Sequence, residues 1–193
     1  MKSDSDKLSW QHLDSSYDEN ARLLLFRKRI DRVRNPRNQK EFDRLVLESP
    51  DWVNVVALDK LGRCIMVKQY RFGVRYNTLE TPGGMVEKEE SSLHAAKREL
   101  LEETGYSSDS WTYLGAVEPN PAFQSNLCHH WLAKEVQQLQ KPNLDDGEAI
   151  SIALMREEEV RSAVQTGEIK HALALSVLSR VFKLWPLPFE NNP

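Results

Sequence analysis

The sequence predicts an α+β fold, and three observations carry that prediction. Short apolar runs broken by turn signals recur between residues 22 and 155, the pattern of a sheet. Residues 91–105 have the stripe and both end signals of a helix. Two more helical stretches, 156–165 and 170–184, follow, and the second is apolar enough to cover one face of a sheet.

Taken in order, residues 1–20 are polar, with isolated Trp10, Leu13 and Tyr17, and read as a loose arm. Residues 22–34 and 41–48 are rich in branched and aromatic side chains and flank the turn signal Asn35-Pro36-Arg37-Asn38, so a β-hairpin is expected. Its basic residues (Arg27, Lys28, Arg29, Arg32, Arg34, Arg37) suit either a nucleic-acid surface or a solvated hairpin face. The lack of interleaved aromatic residues favours the second. Pro50 opens a new block, which divides the chain into an arm and hairpin, 1–50, and a main domain, 51–193. Strands are expected over 53–58 and 63–69, around the turn Asp59-Lys60-Leu61-Gly62. Beyond the helix, 107–110 reads as a loop, 111–117 as a strand, Glu118-Pro119-Asn120-Pro121 as a break, and 125–135 as a strand. The polar, acidic loop 141–148 then leads into a strand over 149–155.

Composition narrows the function. At 193 residues the chain has enough length for one domain with an appendage. A net charge of −3 argues against a nucleic-acid partner held by bulk electrostatics. Cys64 and Cys128 suggest no disulfide framework, which fits a reducing, cytoplasmic setting. Cys128-His129-His130 lacks a second ligand pair at metal spacing, so no zinc site is read there. The stretch MKSDSDK has no apolar signal-peptide core, and no run reaches the ~18 apolar residues of a membrane span. No membrane partner is therefore expected. There is no internal repeat.

The chemistry concentrates on the helix. Ser91 and Ser92 offer N-cap hydroxyls, Leu93, Ala96 and Leu100 form an apolar stripe, and Gly105 suits a left-handed terminus. Glu99, Glu102 and Glu103 stand at i, i+3 and i+4, so their carboxylates share one face. Like charges so placed cost roughly 0.2–0.5 kcal/mol per pair in a free helix. Such a cluster is either a solvated acidic face or a cation site. Hard oxygen donors without His or Cys favour Mg2+, Mn2+ or Ca2+ over Zn2+. Gly83-Gly84 lies just before, where backbone can approach a ligand closely.

The full spacing is more specific. Gly84, five residues, Glu90, seven residues, Arg98-Glu99-Leu100-x-Glu102-Glu103-x-Gly105 and Tyr106 together resemble the signature of the Nudix hydrolases, with every fixed position filled. The resemblance implies an α/β/α sandwich with a mixed sheet, and hydrolysis of a nucleoside diphosphate linked to another group. It implies bound Mg2+, for which Mn2+ can substitute. By it Glu99 and Glu103 are the principal metal ligands, Glu102 is close behind, and the Gly83 carbonyl completes the set. Gly84, Glu90, Arg98 and Gly105 support the geometry.

Gln69-Tyr70-Arg71-Phe72 and Leu79-Glu80-Thr81-Pro82-Gly83-Gly84 are similar to segments of the ADP-ribose and nucleotide-sugar pyrophosphatase branch of that family. Pro121, some fifteen residues past the box, is another feature of that branch. The likeness implies that Arg71 contacts the diphosphate or terminal sugar and that Glu80 helps hold the substrate. A planar guanidinium can bond two phosphate oxygens at once, though a surface ion pair is the alternative for Arg71. Trp52 reads either as packing or as a nucleobase platform. In this branch the general base is typically a loop Glu between two late strands. Glu148 is the first choice here, with Asp146 and the box carboxylate Glu102 behind it. Relatives exchange their N-terminal region between subunits, so a homodimer is expected. Two departures stand out. The loop 85–89 lacks the Pro-Gly of many relatives, and Gly83 stands where Ala is common, a change expected to be tolerated. The resemblance spans roughly residues 22–184. It leaves open ADP-ribose, GDP-mannose or another nucleoside diphosphate hexose as main substrate. It also leaves a non-catalytic ADP-ribose sensor, against which the intact carboxylate set argues.

Overall fold

The computed structural model describes residues 11–17 and 25–184. These form two compact units, the described residues up to 50 with 118–126, and 51–117 with 127–184. Trp10, residues 22–24 of the first expected strand and the end of the arm lie outside the described residues.

The first unit is a three-stranded antiparallel sheet in the order β1 (Gln11–Tyr17), β2 (Arg27–Arg34), β3 (Glu41–Glu48). The expected hairpin is β2–β3. The loose arm is corrected, because Gln11–Tyr17 pairs along β2. Polar side chains hold it there in place of an apolar stripe. Ser15 Oγ donates to Asp31 at 2.7 Å, and the Arg27 guanidinium lies 3.7 Å from the centre of the Tyr17 ring. Arg29 bonds both Asp31 and Glu48, and Arg32 and Arg34 both bond Glu41. These basic residues are thus engaged with carboxylates of their own sheet. Residues 118–126 return to β3, where Leu47 N–H donates to the Phe123 carbonyl at 2.7 Å. No hydrophobic residue described in this unit is buried.

The second unit holds β4 (Trp52–Asp59), β5 (Cys64–Arg71), β6 (Tyr76–Glu80), α1 (Ser92–Thr104), β7 (Tyr106–Ser107), β8 (Ser110–Val117), β9 (Cys128–Gln138), β10 (Ile150–Met155), α2 (Glu157–Gln165) and α3 (Ala172–Ser179). The sheet runs β10-β5-β4-β9-β7, with β6 on β5 and β8 on β9. β4 and β9 are parallel and the other pairs antiparallel, so the sheet is mixed. The period-two pleat of β4 builds both layers. Val53, Val55 and Ala57 pack with Ala95, Ala96 and Leu100 of α1. Val56, on the other face, joins Met66, Val160, Val177 and Leu178 under α2 and α3. Each such branched side chain, fully buried, contributes about 1.5–3 kcal/mol. The result is the α/β/α sandwich.

Several boundaries move. β6 and the two-residue β7 are strands without a counterpart in the sequence reading. β9 starts and ends three residues later than expected. The last helix stops at Ser179 instead of running to residue 184, and Arg180 there donates to the β8 carbonyls of Leu114 and Ala116. Phe182 and Leu184 are nonetheless buried, as extensions of the same core without the helix.

Candidate active site

Helix α1 starts where Ser91 Oγ accepts from His94 N–H at 3.3 Å, and it stops at Gly105. Gly105 has φ 74°, and a Cβ there would overlap the Gln140 carbonyl. Its own carbonyl accepts from Leu139 and Gln140, and Asn143 N–H donates to the Glu102 carbonyl at 2.8 Å. The loop that carries Asp145, Asp146 and Glu148 is therefore tied to the last turn of α1. The approach to the helix is tied to β4 in the same way. Val55 N–H donates to Pro82 and Val53 N–H to Gly84, both at 2.9 Å, which leaves the Gly83 carbonyl outside that ladder.

The acidic face is asymmetric. Glu103 is 3% exposed and accepts from Gly83 N–H at 2.9 Å. Burial pushes its carboxyl up to about 8, Glu99 and Glu148 add to the rise, and the Gly83 N–H and Arg71 oppose it. Burial also pushes Glu99 up, against the pull of Arg98 and with the help of Glu102 and Glu148. Glu102 is more open. Arg98 ties the group together. It bonds both Glu90 oxygens at 3.1 and 3.0 Å, Glu99 at 2.9 Å, Glu102 at 3.1 Å and the Met85 carbonyl at 2.8 Å. Arg98 in turn holds Glu90 below the usual carboxylate range.

Across from these acids, Arg71 meets Glu80 in a bidentate pair, Nε to Oε1 at 2.8 Å and Nη2 to Oε2 at 2.7 Å. Glu80 is fully buried. Burial works against its charge, yet Arg71 and Thr78, which donates to Oε1, keep its carboxyl below the usual range. Arg71 feels the charges of Glu103 and Glu148, so the pair and the box share one electrostatic neighbourhood. Asp146 stands exposed in the turn of its loop, and Asp145 bonds Glu148 through N–H to Oε2 at 3.3 Å. Trp52 is half-buried at the head of β4, with its N–H on the Leu127 carbonyl.

Two site neighbours escape a sequence reading. They are Thr78 and His171, whose Nε2 lies 3.7 Å from Glu80 Oε2. Their only signal is alternation along 76–80 for Thr78 and a cap position for His171. Glycine at position 83 fits its place closely. A Cβ there would overlap the Val53 carbonyl, so Ala does not fit this backbone without a shift.

The donor set suits a hard divalent cation. A Cβ at Gly84 would fall into the Glu99 carboxylate, so the absence of a side chain lets the backbone lie against that acid. Burial raises the carboxyls of buried Glu103 and half-buried Glu99, and a cation bound between them would favour their charged forms. Among the described residues no three His, Cys, Asp or Glu side chains enclose a metal by themselves. Mg2+ ordinarily takes one or two carboxylates and completes its shell with waters and phosphate oxygens, so the two findings agree.

The chain is similar to known proteins over most of its described length. The NUDIX domain family matches residues 48–175. An ADP-ribose pyrophosphatase of Bacillus subtilis (strain 168) is 34% identical over 136 residues, covering 70% of this chain and 74% of that protein. A methanol dehydrogenase activator of Bacillus methanolicus is 28% identical over 141 residues, covering 72% and 76%. The crystal structure of an ADP compounds hydrolase superposes with a TM-score of 0.77 at 20% identity, over 89% of this chain and 91% of its own, a likeness of fold.

Proposed function

The chain belongs to the Nudix hydrolase family, and on that premise we propose that it hydrolyses the diphosphate linkage of ADP-ribose or a related nucleoside diphosphate sugar with Mg2+. The products are a nucleoside monophosphate and a sugar phosphate. The observation that carries this reading is the convergence of Arg71, Glu99, Glu103 and Glu148 within one electrostatic neighbourhood beside the Gly83 backbone. The identity to the Bacillus subtilis ADP-ribose pyrophosphatase supports the substrate class. The second relative bears a different name, that of a methanol dehydrogenase activator, over a similar span.

Glu99, Glu102 and Glu103, with the Gly83 carbonyl, would hold the cation. When bound, it would neutralise phosphate oxygens and open phosphorus to attack. Arg71 binds the diphosphate through the face of its guanidinium that Glu80 leaves open. Glu80 helps hold the substrate by fixing that guanidinium. Glu148 takes the proton of the attacking water as the bridging phosphorus–oxygen bond breaks. It does so from a loop fastened to α1 at Asn143, with Gly147 beside it for freedom to close. Arg98 holds Glu90, Glu99 and Glu102 in place and offsets their repulsion. The alternative, GDP-mannose or another nucleoside diphosphate hexose as main substrate, rests on the same residues.

The test is a panel of ADP-ribose, GDP-mannose, ADP-glucose, UDP-glucose and NADH, each with Mg2+, with Mn2+ and with EDTA, the products separated by chromatography. Cleavage of ADP-ribose to AMP and ribose 5-phosphate, abolished by EDTA, is expected. Binding of ADP-ribose with no cleavage of any member would replace the enzyme by a sensor.

A further inference from the structure

We infer that His171 is a positioning residue for the Arg71 guanidinium and acts on it through Glu80. The inference rests on Arg71 as the diphosphate contact. His171 is the N-cap of α3, and its Nδ1 accepts from Ala174 N–H at 3.4 Å. An accepting Nδ1 places the ring proton on Nε2. That is the nitrogen 3.7 Å from Glu80 Oε2, a distance for electrostatic attraction rather than a hydrogen bond. The cap that starts the helix thus also sets the tautomer that faces the acid.

Glu80 needs such partners. Its carboxylate is buried, and a charge taken out of water is tolerated only where every lone pair finds positive potential. Arg71 supplies Nε and Nη2, Thr78 supplies a hydroxyl on Oε1, and His171 stands on the Oε2 side. Thr78 comes from the strand of Glu80 itself, whereas His171 caps α3, a helix packed in the same core cluster as Leu79 of that strand. His171 therefore ties the Glu80 carboxylate plane to α3. The bidentate pair passes that plane on to the guanidinium, and Arg71 Nη1 is left to meet phosphate oxygens. Loss of the imidazole would let the pair pivot without breaking, which weakens substrate binding more than the chemical step.

The variants separate the two jobs of His171. His171→Ser keeps an N-cap acceptor and removes the imidazole, whereas His171→Ala removes both. In His171→Ser we expect KM for ADP-ribose to rise about tenfold, as for loss of one contact to a charged group, with kcat within about twofold. The same substitution in an Arg71→Ala background is expected to change KM no further, because the two act as a unit. Exchange of the Arg71 Nε–H with solvent, followed by NMR, is expected to quicken in His171→Ser. Additive KM effects, or unchanged Nε–H exchange in an active enzyme, would overturn the inference. Should the wild type cleave no nucleoside diphosphate sugar, the functional reading fails on its own, and the exchange measurement still decides whether His171 holds the pair.

Discussion

In the proposed function Glu148 is the general base, and its loop placement decides what its loss should do. It raises Glu99 and Glu103 by its charge, so it stands near the box without being buried in it. General-base loss typically costs about 10²–10⁴ in rate, so Glu148→Gln should lower kcat by that range with KM little changed. Asp145→Asn should do almost nothing. Near wild-type kcat in Glu148→Gln would move the base to Asp146 or a box carboxylate. A second residue matters for stability alone. His130 is fully buried on β9, neither ring nitrogen has a hydrogen-bond partner among the described residues, and burial pushes it down to about 4. Its folded pKa lies below its unfolded value near 6.5, so the unfolded chain takes the proton first. The stability it contributes is whole above about pH 6.5 and is lost on descent toward pH 4, at up to about 1.4 kcal/mol per unit. Urea unfolding at steps from pH 7 to 4.5 should show a shallower fall for His130→Leu than for wild type. Parallel curves would mean that His130 titrates normally. The acidic face was legible in sequence because helical spacing alone puts three carboxylates together. The Arg71–Glu80 clamp, His171 and the burial of His130 were not, because each depends on strand register or on which face meets the core.

At the scale of elements, the strands most buried on both faces were the most legible. β4 and β5 are near-continuous apolar runs between turn signals, and their bounds shift by only one or two residues. β1 is the opposite case, a polar QHLDSSY that is a strand only because β2 offers it an edge. β6 was hidden because its residues also carry the approach to the box, and only the pairing Arg71 with Tyr76 and Val67 with Glu80 makes it a strand. The loop before α1 shows what the missing Pro-Gly does. Glu89 takes φ 66°, a left-handed conformation, in the turn that brings Glu87 N–H onto Glu90 at 3.1 Å. A non-glycine residue there costs roughly 1–2 kcal/mol, and glycine returns roughly 0.5–1 of that through the unfolded chain. The Lys88–Glu89 pair is 4.0 Å apart and nearly fully exposed, so its loss removes little. Glu89→Gly should therefore raise Tm by about 1–3 °C, measured by calorimetry, with kcat unchanged. A lower Tm would show that the Glu89 side chain makes a contact worth more than the backbone strain.

At the scale of the molecule, the two units differ in what they bury. The second has two apolar clusters, one on each face of its sheet. The first has no buried hydrophobic residue among those described, and Leu25 and Leu45 are 55% and 46% exposed. A three-stranded sheet held by Arg–carboxylate pairs gains little from them, since half-exposed ion pairs contribute about 0–1 kcal/mol each. Strands need an apolar face against something for independent stability. A second copy of the chain supplies one at no cost in new sequence, because a twofold axis satisfies both sheets with the same residues. The protein should therefore be a homodimer. Light scattering on the full-length chain should give twice 22.3 kDa. Leu45→Arg should shift that mass toward the monomer and lower Tm, while the box of the second unit keeps its residues. A monomeric wild type with full activity would refute the dimer and would mean that the first sheet finds its apolar cover within one chain.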